Sequence, residues 1–167
     1  AEWALKEFVE SLRAFEKRIR EIVEDNFERV RDDLLKEACK PEDYPAIREQ
    51  VGRYISPDKF VDETVAYILD TLDQLAMHGC TPSPNFDFRH DPDFEDLDID
   101  SLMVLEAIYG MVFNRLLGIV AKELGVEVEM GICLRVSEED KQRLAEITGV
   151  SKLGRVLGAS SKEMQTE

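Results

Sequence analysis

The chain has 167 residues, 44% hydrophobic and 34% charged, with 36 acidic against 21 basic side chains and a net charge of −15. That length fits one domain, and the apolar share supports a buried core and excludes wholesale disorder. So negative a surface disfavours nucleic acid and anionic membranes as partners and favours basic ones.

Residues 2–38 read as one long helix. Leu5, Phe8, Leu12, Phe15, Ile19 and Ile22 step by threes and fours, and Val23, Phe27, Val30 and Leu34 continue one position later. At 1.5 Å per residue it would be on the order of 50 Å long, which suggests an arm or one wall of an extended bundle. The charged, amphipathic start does not read as a signal peptide. "CKPEDYP" breaks the helix, and a short helix with Ile47, Val51 and Tyr54 follows. "SPDKF" starts another, with Ser56 as N-cap and Pro57 at the first helical position. Its apolar face is Val61, Val65, Ile68, Leu72 and Leu75, and it stops at His78–Gly79.

Residues 79–100 form a long loop interrupted by Pro82, Pro84 and Pro92, with seven acidic residues from Asp87 to Asp100. Loops of this length are commonly functional or disordered. A helix over 101–124 follows, ended by Gly125. Its segment Ser101–Ala121 approaches membrane-spanning length, but Glu106 and Arg115 would be costly in lipid. The central helix of a soluble bundle accounts for it, so no membrane span is expected. Ala107, Gly110, Asn114, Gly118 and Ala121 make a stripe of small or short side chains that lets another helix approach. Val126, Val128, Met130, Ile132, Leu134 and Val136 then alternate with polar or small residues, as a strand does. The segment either folds back at Met130–Gly131 or stays straight. No other stretch reads as a strand, so a second copy of the chain is the expected partner for its backbone. "SEED" opens a last helix with a Ser137–Asp140 capping pattern, running to about Thr148. A short piece around Leu153 to Leu157 ends the ordered domain (1–158), and 159–167 reads as a flexible tail. The fold class is therefore mainly α: a helical bundle with a long N-terminal amphipathic helix and a small C-terminal strand or hairpin with a helix.

"EDLDIDSLMVLEA" (Glu95 to Ala107) resembles the prosthetic-group site of acyl and peptidyl carrier proteins, through Glu95, Asp96, Leu97, Asp100, Ser101, Leu102 and Glu106. The resemblance implies a phosphopantetheine arm on Ser101, with Asp100 and Glu106 recruiting a basic transferase. It covers about a dozen residues and departs from the family at Asp98, where Gly is usual, and in a longer helix after the serine. Local physics asks only that Ser101 cap a helix whose positive end welcomes the preceding carboxylates.

His78, Cys80, His90, Asp91 and Asp93 supply ligand types for a divalent metal, an H-x-C pair plus a distant His and carboxylates. Asp91, Asp93 and Glu95 also hint at a calcium loop, although Asp96 and Leu102 stand where its glycine and bidentate glutamate belong. Glu7/Glu10 and Glu21/Glu24 are similar to the magnesium-holding pairs of all-helical nucleotide pyrophosphohydrolases, without the second half of that pattern. "ICLRVSEEDKQRLAEITGVSKLGRVL" resembles a ribbon-helix-helix unit, which implies strand pairing in a dimer. Arg135 is the only basic residue on that strand, so DNA reading is not expected.

Cys39, Cys80 and Cys133 form no CxxC pair and read as reduced thiols in a cytoplasmic protein. The expected function is a non-catalytic protein–protein interaction or regulatory module that self-associates as a homodimer. A carrier modified at Ser101, and a metal-binding or magnesium-dependent all-α enzyme, are the alternatives.

Overall fold

α1 spans Glu2–Ala38 in the computed structural model, which describes residues 2–149. Its apolar face is buried from Ile19 to Leu35. Toward the N-terminus the same face opens, leaving Leu5 54%, Val9 36% and Leu12 37% exposed. α2 (Tyr44–Tyr54) folds back onto α1 and is held by a buried guanidinium. Arg31 donates from Nη1 to the Ile55 carbonyl (2.9 Å) and from Nε to Asp32 (3.0 Å), whose other oxygen accepts from Arg48 (3.1 Å). A charge this buried is tolerated only with such partners.

α3 (Pro57–His78) begins after Ser56, whose extended backbone is that of an N-cap although its hydroxyl makes no capping bond. It ends on Gly79 at φ 75°, the left-handed stop that "HG" promised. α3 runs antiparallel to α1, since Arg31 meets Ile55 and Arg20 meets Asp62. α4 (Ile99–Glu123) buries ten residues, from Leu102 to Ala121, against this framework. α5 (Glu138–Thr148) packs on α3. Ser137 caps α5, its Oγ accepting from the Asp140 N–H (3.1 Å), while the Asp140 carboxylate accepts from the Glu127 N–H (3.1 Å) instead of closing a capping box.

One expectation needs correction. The strand is shorter than its alternation suggested, β2 being Cys133–Arg135, and its partner lies in the same chain. β1 (Cys80–Pro82) pairs with it antiparallel, Cys80 opposite Arg135 and Pro82 opposite Cys133. "CTP" gives no alternation to read, and its proline is tolerated because a two-stranded ladder is all edge. This removes the reason for pairing strands across a homodimer. Ahead of β2 the chain folds back near Gly131, where Glu129 and Arg135 exchange both backbone bonds (2.8 and 3.0 Å).

The remainder of the long loop covers residues 83–98. They are a strap across the bundle that buries Phe86, Phe88 and Phe94 at 8%, 5% and 1% exposure. Phe88 stacks on Phe94 with centroids 4.6 Å apart and planes 9° from parallel. Phe86 and Phe60 reach the Tyr109 ring at 4.5 and 4.4 Å. These rings fill the space between α3 and α4, where Thr64 Oγ1 and the Tyr109 hydroxyl share a buried hydrogen bond of 2.6 Å. The expected piece over Leu153 to Leu157 and the tail 159–167 lie outside the described residues.

Candidate interaction surface

α4 starts two residues earlier than expected, and its cap is Asp98. The Asp98 carboxylate accepts from the Ser101 N–H (2.7 Å). That bond, with a second from the Ser101 hydroxyl, holds Asp98 below the usual carboxylate range. Ser101 is therefore a half-buried first-turn residue, not the cap. "DIDS" offers three good caps within four residues, and the choice falls where Leu102, Leu105 and Tyr109 can turn inward.

The residues of the carrier resemblance do not share one site. Asp100 and Ser101 border an open hollow of about 520 Å³ against α2, beside Tyr54, Leu97 and Val104. Glu106 lies on the other flank of α4, in a groove of about 540 Å³ formed with the strap. There its carboxylate accepts from the Phe88 N–H (3.0 Å) and anchors the strap to the helix. In the same groove wall, Arg89 grips Asp87 through Nε and Nη2 (2.6–3.1 Å), which holds the Asp87 carboxyl at about 2.

The residues proposed for a metal are dispersed. His78 is exposed in the last turn of α3, Cys80 is exposed on β1 opposite Arg135, and His90 points to solvent from the strap. Asp91 and Asp93 do meet, but on Lys59, whose Nζ lies 3.0 and 2.5 Å from them. Burial works against the Lys59 ammonium, yet the bonds to Asp93 and Asp91 outweigh it and hold the group above its usual value. Glu7, Glu10, Glu21 and Glu24 face solvent along α1. Among the described residues, no group of three or more His, Cys, Asp or Glu side chains is disposed to hold a metal ion.

What the fold does build is an apolar surface. α4 is long and apolar enough to cross a membrane by length and composition alone. In the bundle one side of it is core, while Ile99, Met103, Val104 and Met111 stand 64%, 62%, 58% and 46% exposed on the other. Ala107 and Gly110 lie between them at helical spacing, and nothing comes within 4 Å of where a Gly110 Cβ would be. The lower part of the small-residue stripe is covered instead, Met130 Cε lying 3.9 Å from the corresponding point on Gly118. Sequence reading missed this face because a helix apolar on all sides signals burial. Only its uneven supply of aromatics, all on the inner side, could have hinted at two faces.

The rim is acidic. From Asp87 to Glu106 the chain carries eight acidic residues (Asp87, Asp91, Asp93, Glu95, Asp96, Asp98, Asp100, Glu106) against Arg89 and the Lys59 that pairs with Asp91 and Asp93, a net charge of −6. The strap, the N-terminal turn of α4 and its outward methionines thus form an apolar strip with carboxylates at one end. Comparison with protein-family models, with curated proteins and with solved structures finds no match.

Proposed function

We propose that this protein is a non-catalytic interaction module that docks a cationic amphipathic helix along the open face of α4. One observation carries the reading: four large apolar side chains, Ile99, Met103, Val104 and Met111, stand exposed together on a helix whose opposite side is core. Contiguous exposed apolar surface of this kind marks partner sites on soluble proteins. Ala107 and Gly110 supply a low centre into which a helix backbone can settle, and methionines adapt to the shape of what they cover. The carboxylates of Asp87, Asp100 and Glu106 that flank α4, in a cluster of net charge −6, select for Lys and Arg on the incoming helix and against acidic helices.

The test is an anisotropy titration of the full chain into two labelled peptides of about five turns, one built of Leu and Lys and its twin of Leu and Glu. Saturable binding of the Lys peptide alone is expected. Equal binding of both, or of neither, contradicts the reading.

Modification of Ser101 by a phosphopantetheine arm is the alternative, supported by the place of the half-buried Ser101 in the first turn of a long helix, as the carrier resemblance requires. It demands a mass increment on Ser101 that survives denaturation, and an unmodified chain from cells that hold the transferase rules against it.

A further inference from the structure

β1 and β2 bring two of the three cysteines onto one surface. The register sets Cys80 opposite Arg135 and Pro82 opposite Cys133, and residues directly opposite point to the same side of a ladder. Residues two apart on a strand also share a side, so Cys80, Pro82, Cys133 and Arg135 all lie on one face. Burial agrees with this placement. On the other face Leu134 is buried and Thr81 half-buried, whereas Cys80, Pro82 and Arg135 are exposed and Cys133 is half-buried. The two thiols are therefore diagonal neighbours on the outer face of the ribbon. The pairs flanking them are hydrogen-bonded, with the Val136 N–H donating to the Gly79 carbonyl (3.0 Å) and the Ser83 N–H to the Ile132 carbonyl (3.1 Å). Bonded pairs alternate with unbonded ones, so Cys80 and Cys133 take the narrow positions, where side chains of the two strands stand closest.

Diagonal neighbours are roughly 7–8 Å apart, somewhat less between Cβ atoms. A disulfide needs Cβ atoms about 3.5–4.5 Å apart, so an S–S bond would require the strands to shift, and both residues are free thiols. A metal ion between the sulfurs changes the reach. Two metal–sulfur bonds of about 2.3 Å in line hold the sulfurs up to ~4.6 Å apart, in place of the ~2 Å of an S–S bond. That longer span matches the diagonal. The ligand count then selects the ion. Zinc completes a shell of four, and among the described residues no third His, Cys, Asp or Glu joins the pair. Cu(I) is a soft monovalent ion that prefers thiolates and is satisfied by two of them in line. We propose that Cys80 and Cys133 form a two-coordinate site for one Cu(I) ion on the outer face of the ribbon. Each thiol gives up its proton as its sulfur bonds to the metal, and no oxidant takes part. The bridge ties the chain just after α3 to the strand that leads into α5. Cys39 is no part of it. It follows the C-terminal end of α1, whereas Gly79 lies toward the other end, since α3 runs antiparallel to α1.

The test is an anaerobic titration of Cu(I) into the full chain in competition with a coloured Cu(I) chelator, repeated on Cys80→Ser, Cys133→Ser and Cys39→Ser. Circular dichroism checks that each variant keeps its helices. The natural chain should withdraw one ion per chain from the chelator. Loss of either Cys80 or Cys133 should weaken binding about a hundredfold or more, because the second sulfur acts at high effective concentration. Cys39→Ser should leave binding unchanged. No uptake by the natural chain, uptake that survives either of the first two substitutions, or uptake lost with Cys39→Ser overturns the proposal. So does one ion per two chains that associate only when copper is added, since single thiols of two copies would then share the metal. Alkylation of the natural chain followed by mass spectrometry needs no variant. Added Cu(I) should protect Cys80 and Cys133 together while Cys39 reacts as before, and protection of only one of the two overturns the pair.

Discussion

Replacing Phe94 by alanine tests whether the acidic strap is part of the core. Phe94 is 1% exposed, stacks on Phe88 at 4.6 Å and 9°, and meets Tyr54 at 5.7 Å and Phe60 at 6.3 Å. A buried aromatic hides roughly 150–250 Å², worth ~4–6 kcal/mol at about 25 cal/mol per Å². Alanine keeps a little of this and the unfolded chain already hides some, so the expected loss is about 3–5 kcal/mol. Urea unfolding followed by circular dichroism should show a lower midpoint at an unchanged slope. Phe88→Ala should cost a similar amount, and the double variant less than the sum, by the ~0.5–1.5 kcal/mol that a stacked pair adds. A loss below about 1 kcal/mol for Phe94→Ala would refute the reasoning, since a ring in the core cannot be removed so cheaply.

Tyr109→Phe leaves the buried Thr64 hydroxyl without its 2.6 Å partner and should cost about 1–2 kcal/mol, whereas adding Thr64→Val should recover much of that loss because neither polar group is then stranded. Asp98→Ala should lower the thermal midpoint more than Ser101→Ala does, because the carboxylate caps α4 and the serine hydroxyl only joins it; the reverse order in a melting experiment would restore Ser101 as the cap. Asp87 ionises at about 2 in the folded chain, held by Arg89, and near 3.9 when unfolded. Its contribution is therefore present above pH 4 and lost as pH falls toward 2, so Asp87→Asn should flatten the acid limb of the stability profile measured by urea unfolding between pH 2 and pH 5.

The helices were legible because their signals are local and repeated. The three-four stepping of α1, the Ser56–Pro57 start and Gly79 stop of α3, and the Ser137 cap of α5 all lie within one or two turns of what they control. The strap was not legible, since Phe86, Phe88 and Phe94 sit among prolines and aspartates and reveal themselves as core only once α3 and α4 leave a gap for their rings. β1 was hidden for a related reason: three residues ending in proline become a strand only when β2 is beside them. The cap of α4 was off by one turn because Asp98, Asp100 and Ser101 have almost equal local claims, and long-range packing chose among them. The open face of α4 is the reverse case, apolar residues that the pattern assigned to the core and the fold left outside.

The most direct test of the account is the affinity of the Leu/Lys peptide for the chain carrying Met103→Glu, set beside the natural sequence. If the peptide lies on the α4 face, a carboxylate in the middle of the apolar strip should weaken binding about tenfold or more, as loss of a central anchor does. If it is held only by the negative field of the molecule, the added charge should leave binding equal or tighter, and that outcome would contradict the docking site on α4.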